Sequence, residues 1–246
     1  MWTINVHAGH NPDGKNGSGA KGLIKESTEA RKVKKQVIKY LRLWGCKVYD
    51  CTVDDGKNQN DVLEKIIKKC NAHKVDLDVS IHFNSGRKDS KGDGKTGGVE
   101  ALVYSKKLGP VKAAESVCEA ISELGFRDRG IKYRPKLMIL NSTIAPAMIV
   151  ECCFVDDFDD VKLYNYKKIG RAIAEGIINS YCPYKAVTIK KGVIERDKPA
   201  KKYIKMGTLK KGTKCMIKKV KITDGVRYGY IEKRDAWIKL KGTKEV

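Results

Sequence analysis

Asp61 to His82 reads DVLEKIIKKCNAHKVDLDVSIH, and in this stretch the hydrophobic period changes. Val62, Leu63, Ile66, Ile67 and Cys70 recur at helical spacing and place one apolar face on a helix from Asp61 to His73. After Lys74-Val75-Asp76 the run Leu77–Ile81 has strand character and ends against His82. A helix returning at once into a strand is half of a βαβ unit, which predicts an α/β fold.

The pattern repeats in both directions. Upstream, Trp2–Val6 is a short β-prone run. Glu26 to Trp44 follows with Ala30, Val33, Val37, Ile38 and Leu41 at helical spacing, stopped by Gly45, and Cys46–Tyr49 is a second strand. Downstream, Gly98–Tyr104 is a fourth strand. Pro110 opens a helix carrying Val111, Ala114, Val117, Cys118, Ile121 and Leu124. Leu137–Leu140 and Ala147–Val150 are expected as short strands, and Ile169, Ile173 and Ile177 mark a last helix ending near Cys182-Pro183. Between the third and fourth strands, Gly86 to Gly98 is polar and glycine-rich, a flexible loop. The expected fold of residues 1–183 is a twisted, mostly parallel sheet flanked by helices.

Beyond Pro183 no helical period persists. Val187–Ile189, Lys214–Val220, Gly229–Ile231 and Trp237–Leu240 are short strand candidates, so residues 187–246 are expected to form a small all-β domain. Charge divides unevenly. Lys+Arg of 51 against Asp+Glu of 29 gives a net charge of +22, and from Tyr184 onward 20 basic and 6 acidic residues contribute +14 of it. Such an excess points to a polyanionic partner. Nucleic acid is disfavoured, because Lys prevails over Arg, aromatics are 7% and no binding motif occurs. No apolar stretch approaches the ~20 residues of a membrane span. The N-terminus lacks a basic region followed by an apolar one, so synthesis in the cytoplasm without a signal peptide is the expectation. Eight cysteines with no CxxC pair, several inside apolar periodic segments, read as free thiols of a reducing compartment.

Four residues carry candidate chemistry: His10, Glu26, His82 and Glu151. His10 lies four residues past the first strand, His82 follows the third, and Glu151 follows the apolar run Ala147–Val150. In a parallel sheet these ends share the carboxyl rim, where α/β folds build their sites. Glu26 opens the helix that leaves the same rim. Two histidines and one carboxylate form a common catalytic zinc triad with a fourth position open, and a further carboxylate nearby can shuttle the proton of hydrolysis. A carboxylate closing a buried run needs a partner, which singles out Glu151.

Val6-His7-Ala8-Gly9-His10-Asn11, Gly22-Leu23-Ile24-Lys25-Glu26, Val79-Ser80-Ile81-His82-Phe83-Asn84 and Ile149-Val150-Glu151-Cys152-Cys153-Phe154 resemble, in order and spacing, the zinc-dependent N-acetylmuramoyl-L-alanine amidases. Leu140-Asn141-Ser142 is similar to members found in clostridial phage endolysins. The resemblance covers residues 2 to about 182. It implies Zn2+ on His10, Glu26 and His82, Glu151 as catalytic acid/base, and hydrolysis of the amide between N-acetylmuramic acid and the L-alanine of the stem peptide. Asn84, two residues past a ligand, is a candidate for hydrogen-bonding substrate or for bracing its loop. His7, nearer the strand, and Glu29, one turn beyond Glu26, are competing ligand candidates. Met206-Gly207-Thr208-Leu209-Lys210-Lys211-Gly212-Thr213, with Tyr230 and Trp237, resembles bacterial SH3-like wall-binding modules. That implies a small barrel gripping peptidoglycan and associated anionic wall polymers. The joint expectation is a lytic endolysin, with a host sporulation or autolytic amidase as the alternative.

Overall fold

Apolar residues that alternate with site residues build the central strands. The computed structural model describes residues 2–106, 110–180, 184–224 and 226–245. The chain divides into two compact units, Met1–Ile177 and Ile178–Val246.

In the first unit the elements run β1 (Thr3–Ala8), α1 (Glu26–Leu43), β2 (Lys47–Asp50), α2 (Gln59–Asn71), β3 (Leu77–Asn84), β4 (Val99–Val103), α3 (Val111–Ser122), β5 (Asp128–Tyr133), α4 (Met138–Ser142), β6 (Ala147–Phe154), α5 (Phe158–Leu163) and α6 (Tyr166–Ser180). The six strands form one sheet in the order β2-β1-β3-β6-β4-β5. All neighbours are parallel except β4 and β6, which run antiparallel, so the β4-β5 pair points the other way from the remaining four strands.

Register explains which residues meet. His7 pairs with Ser80, Ser80 with Ile149, and His82 with Glu151, so these side chains share one face. On that face a core of Val53, Val62, Ile66, Cys70, Leu102 and Ile149 packs under α2. The opposite face holds Ile4, Val6, Val79, Ile81 and Val150, all fully buried. Each such side chain contributes roughly 1.5–3 kcal/mol on burial, so the sheet is a stiff platform for what stands at its rim.

Local chemistry sets the helix ends. In α1, Ala30, Val33, Val37, Ile38 and Leu41 form the buried stripe. Gly45 closes it at φ +89. The Cys46 N–H donates to Leu41 O and the Gly45 N–H to Arg42 O, the paired bonds of a Schellman stop, which requires the left-handed conformation glycine adopts without penalty. Asn58 caps α2, its side chain accepting from the Asp61 N–H.

Several elements differ from the sequence expectation. Leu137–Leu140 is not a strand: Met138–Ser142 is helical, with Leu140 and Asn141 N–H both donating to Leu137 O. Four apolar residues in a row carry no period, and here they cap the α2-side core through Ile139 and Leu140. β5 lies at the sheet edge, half-exposed and interrupted by Gly130, so it lacks the alternation that would mark it. α5 follows from the cap Asp157, which accepts from the Asp160 N–H. β3 and β6 continue to Asn84 and Phe154, so His82 and Glu151 sit inside strands and not just beyond them.

The 86–98 segment is a loop as expected, but an anchored one. Asp156 accepts from the backbone N–H groups of Gly86, Arg87 and Lys88, and Asp160 from that of Gly98. Arg87 pairs with the fully buried Asp157 at 2.8 Å. The end of the last helix, expected near Cys182-Pro183, lies outside the described residues.

The second unit is all-β: β7 (Tyr184–Thr188), β8 (Val193–Arg196), β9 (Lys205–Leu209), β10 (Lys214–Ile217), β11 (Lys219–Thr223), β12 (Val226–Ile231), β13 (Ala236–Lys239) and β14 (Thr243–Glu245). They form a three-stranded sheet β10-β7-β14 and a five-stranded sheet β11-β12-β13-β8-β9. The single strand expected over Lys214–Val220 breaks at Lys218, and its halves join different sheets. The segment 206–213 is a strand through Leu209 followed by a turn closed by the Thr213 N–H on Lys210 O. Leu209, Ile217, Val220, Tyr228 and Ile238 form the buried interior. The seven described cysteines are free thiols, six of them buried.

Candidate active site

Loop 9–25 leaves β1 and returns as α1, and both of its ends are stitched in place. Asn11, fully buried, donates to Asn16 O and Gly56 O and accepts from the Gly56 N–H. The Arg31 guanidinium donates to His10 O at 2.7 Å and to Val53 O. These bonds hold the backbone of His10 beside the N-terminus of α1, where Glu26 is the first helical residue. Lys25, at the cap position, makes no side-chain capping bond; its ammonium donates to Asp13 Oδ2 instead.

Glu26 is the hub. Its Oε1 lies 3.2 Å from His10 Nε2 and 3.0 Å from His82 Nδ1, and accepts from the Phe83 N–H at 3.1 Å. Its Oε2 accepts from the Ala20 N–H at 2.7 Å. The two imidazoles meet edge to face, 4.8 Å between centroids. One donor atom each from His10, Glu26 and His82 lies within 4.8 Å of the others, a group that could hold a metal ion. The chemistry of the donor set fits a cation: two imidazole nitrogens and a carboxylate oxygen turn lone pairs toward one point, and only a proton or a positive ion reconciles them.

Neighbouring groups fix which nitrogen faces the point. Gln59 Oε1 sits 2.7 Å from His10 Nδ1, so an Nδ1–H donated to it leaves Nε2 as the free lone pair. His82 presents Nδ1 because its Nε2 side is packed on Gly9: a Cβ there would stand 1.8 Å from Nε2. Glycine is the residue this approach allows.

Electrostatics follow from burial and proximity. Burial pulls the His10 imidazole down, but hydrogen bonds and charge from Glu26, with Gln59, outweigh it and leave its pKa above the ordinary value. At His82, burial wins over Glu26 and the pKa falls below it. Burial opposes the charge on Glu26, yet the two histidines hold its carboxyl well below the usual range. The cluster thus keeps an ionised carboxylate between two imidazoles.

Glu151 stands beside His82 on the next strand and opposite Glu100 on the other side. Its Oε2 is shut off from water and has no hydrogen-bond partner among the described residues. Burial, then the negative charges of Glu26 and Glu100, push its pKa up to about 8. A carboxyl group in that range exchanges protons readily near neutrality.

The competing ligand candidates lie elsewhere. His7 shares the face of His82 but sits deeper, fully buried, with Nδ1 3.4 Å from Ser80 Oγ. Burial drops its pKa to about 3, so it is a neutral core histidine. Glu29 accepts from Tyr164 Oη at 2.8 Å and pairs with Lys32. Asn84 donates to Glu100 Oε1 at 3.0 Å and accepts from the Ser85 N–H, bonds that favour the brace over contact with substrate.

Sequence reasoning did not single out Gln59, Glu100 or Arg129. Arg129 donates to Glu100 Oε2 at 2.8 Å and holds that carboxylate beside Glu151. Glu100 was within reach of the argument used for Glu151, since it also interrupts a buried apolar strand. Gln59 carried no signal, because its role depends on where α2 begins relative to His10.

Comparison with known proteins identifies the family and the fold. Residues 4–181 match the family model described as N-acetylmuramoyl-L-alanine amidase. A 38.4 kDa protein of Clostridium perfringens is 38% identical over 187 residues, covering 72% of this chain and 51% of that protein. The endolysin of Bacillus phage SPP1 is 29% identical over 181 residues, 70% of this chain and 61% of its own length. Among solved structures, the catalytic domain of the CD27L endolysin targeting Clostridia difficile superposes with a TM-score of 0.65 at 26% identity, covering 73% of this chain and 98% of that domain. The chain spans about half the length of the Clostridium perfringens relatives it matches.

Proposed function

Because the chain belongs to the N-acetylmuramoyl-L-alanine amidase family, we propose that it hydrolyses the amide joining the lactyl group of N-acetylmuramic acid to the L-alanine of the stem peptide in bacterial peptidoglycan. The observation that carries this reading is the convergence of His10, Glu26 and His82 beside the unpartnered carboxyl of Glu151. Two imidazoles and a carboxylate suit Zn2+, and these three residues would hold it. When bound, zinc supplies a Lewis acid that polarises the scissile carbonyl and makes water a stronger nucleophile near neutral pH.

This chain's own residues do the rest. The Glu151 carboxylate takes a proton from the attacking water as the carbon–oxygen bond forms, and returns it to the departing alanine nitrogen as the carbon–nitrogen bond breaks. A nearby cation lowers the pKa of Glu151, bringing it from mainly protonated toward the ionised form a base requires. Asn84 and Arg129 keep the Glu100 carboxylate in place at the flank of Glu151. Gln59 keeps His10 in the tautomer that offers Nε2.

The assignment of residues 1–183 as catalytic domain and 187–246 as an SH3-like wall-binding domain belongs to the same reading. It is supported by the change from α/β to all-β structure and by the +14 charge of the tail. Tethering to an insoluble polymer raises the effective concentration of catalyst at the bond. An endolysin role is supported by likeness to two endolysins, one of Bacillus phage SPP1 and one targeting Clostridia difficile.

Mass spectrometry of digested walls tests the bond specificity. The reading requires free L-alanine amino termini together with intact muramic acid lactyl carboxyls. New amino termini within the stem peptide instead would assign the chain a peptidase activity and overturn it.

A further inference from the structure

The second unit contains a cleft of about 1040 Å3 bounded by β7, β10, the end of β12 and the turn after it. Its charged rim is Lys185, Lys214, Lys218, Lys233 and Arg234, against one carboxylate, Glu232. Two of these cations are already engaged: Arg234 with Glu195, and Lys218 with Glu232 at 3.2 Å. Lys185, Lys214 and Lys233 are exposed and have no ion pair among the described residues. Three unneutralised ammonium groups around one cavity repel each other, a cost that an anionic ligand relieves.

Register places two of them together. Lys214 pairs with Val187, and Met216 with Lys185, across β10 and β7. Lys185, Val187, Lys214 and Met216 therefore project from one face of this small sheet, with ammonium groups set diagonally over an apolar floor. A ligand matching that surface alternates negative charges with neutral carbon. The free cations are all lysines, point charges suited to phosphate, while the fork of Arg234 that would clasp a carboxylate is taken by Glu195. None of the described lining residues is aromatic, so the cleft offers no platform for stacking bases. The volume accommodates a polymer repeat of sugar or polyol size.

We propose that this cleft binds a phosphodiester-linked polyol or sugar polymer of the cell wall, gripped through Lys185, Lys214 and Lys233. The proposal rests on the reading that the chain works at the bacterial wall, and it assigns the tail's anionic partner a chemical class and a place. A smaller basic pocket of about 220 Å3 on the same unit, with Lys190 and Lys191 in its lining, is the rival site.

The test uses the full chain and three probes of equal charge at physiological ionic strength: poly(glycerol phosphate), oligothymidylate and poly-L-glutamate. Poly(glycerol phosphate) is expected to bind at least tenfold tighter than either other probe, and to protect Lys185, Lys214 and Lys233 from acetylation. Lys214→Ala combined with Lys233→Ala is expected to weaken binding about tenfold, as loss of two phosphate contacts does. Lys190→Ala with Lys191→Ala removes the same charge elsewhere and is expected to change it less than twofold. Equal losses from the two double variants, tighter binding of thymidylate or polyglutamate, or no binding of poly(glycerol phosphate) each overturn the proposal. Walls stripped of phosphodiester polymer by acid separate it from the catalytic reading. New alanine amino termini on stripped walls from a chain that does not bind poly(glycerol phosphate) sink the cleft alone; binding of poly(glycerol phosphate) without new alanine amino termini on stripped walls sinks the amidase reading and leaves the cleft standing.

Discussion

Gly9→Ala places one methyl group where the structure leaves no room for it. The new Cβ would lie 1.8 Å from His82 Nε2 and 1.9 Å from Cε1, whereas ordinary van der Waals contact begins at 3.4 Å. The imidazole must therefore retreat by about 1.6 Å, the difference between 3.4 and 1.8 Å. Metal–ligand bonds tolerate roughly 0.2 Å, so a shift of this size removes His82 Nδ1 from the donor set. Loss of one ligand in three, with the reacting groups displaced by more than an ångström, is expected to cut wall hydrolysis by at least ~10²-fold. Zinc affinity should fall in parallel. Overpacking of this kind costs about 1–3 kcal/mol, which the sheet core withstands, so the variant is expected to fold. The assay is turbidity loss of purified walls together with zinc retained after dialysis. Gly14→Ala in the same loop is the control: its Cβ meets nothing within 4 Å, and although φ +87 strains it, activity should stay within twofold. A Gly9→Ala protein that keeps its zinc and cuts walls at the parental rate would refute the placement of His82 Nδ1 in the site.

Three further outcomes follow from the same geometry. Glu151→Gln keeps shape but cannot carry a proton, so the appearance of alanine amino termini should slow ~10²–10⁴-fold while bound zinc, measured by elemental analysis, is unchanged. Gln59→Ala frees the His10 tautomer and should weaken zinc ~10–100-fold in a competitive chelator titration, with a smaller effect on the turnover of the zinc-saturated enzyme. Burial raises the pKa of Asp78 to about 6 from 3.8, so its neutral form is favoured in the fold and its contribution is lost as pH rises through about 6. Asp78→Asn should therefore gain up to about 3 kcal/mol relative to the parent in urea melts between pH 4 and pH 7; His7, with its pKa near 3, slopes the other way in both proteins and cancels in the difference.

The sequence displayed the α/β class because α1, α2 and α3 carry clean helical stripes and the apolar residues of β1, β3 and β6 form short runs or alternations with strand character. It hid β5, α4, α5 and three of the second unit's strands, β8, β9 and β14. An edge strand such as Asp128–Tyr133 faces solvent, and Met138–Ser142 is too short to express a period. The convergence of His10, Glu26 and His82 was legible because the carboxyl rim of a parallel sheet is a topological meeting place, whatever the separation along the chain. The support around them was not. Gln59 reaches His10 only because Asn58 caps α2 at that point, and the anchoring of loop 86–98 depends on Asp156 and Asp160 from a segment about 70 residues away. Hydrogen bonds between distant segments leave no periodic trace in either one.

The metal content of the purified chain tests the central claim most directly. The account predicts one zinc per chain, loss of that zinc in His10→Ala, Glu26→Ala and His82→Ala, and wall hydrolysis abolished by excess chelator and restored by added zinc. A chain that purifies without metal and frees alanine amino termini from walls at full rate in chelator would contradict it.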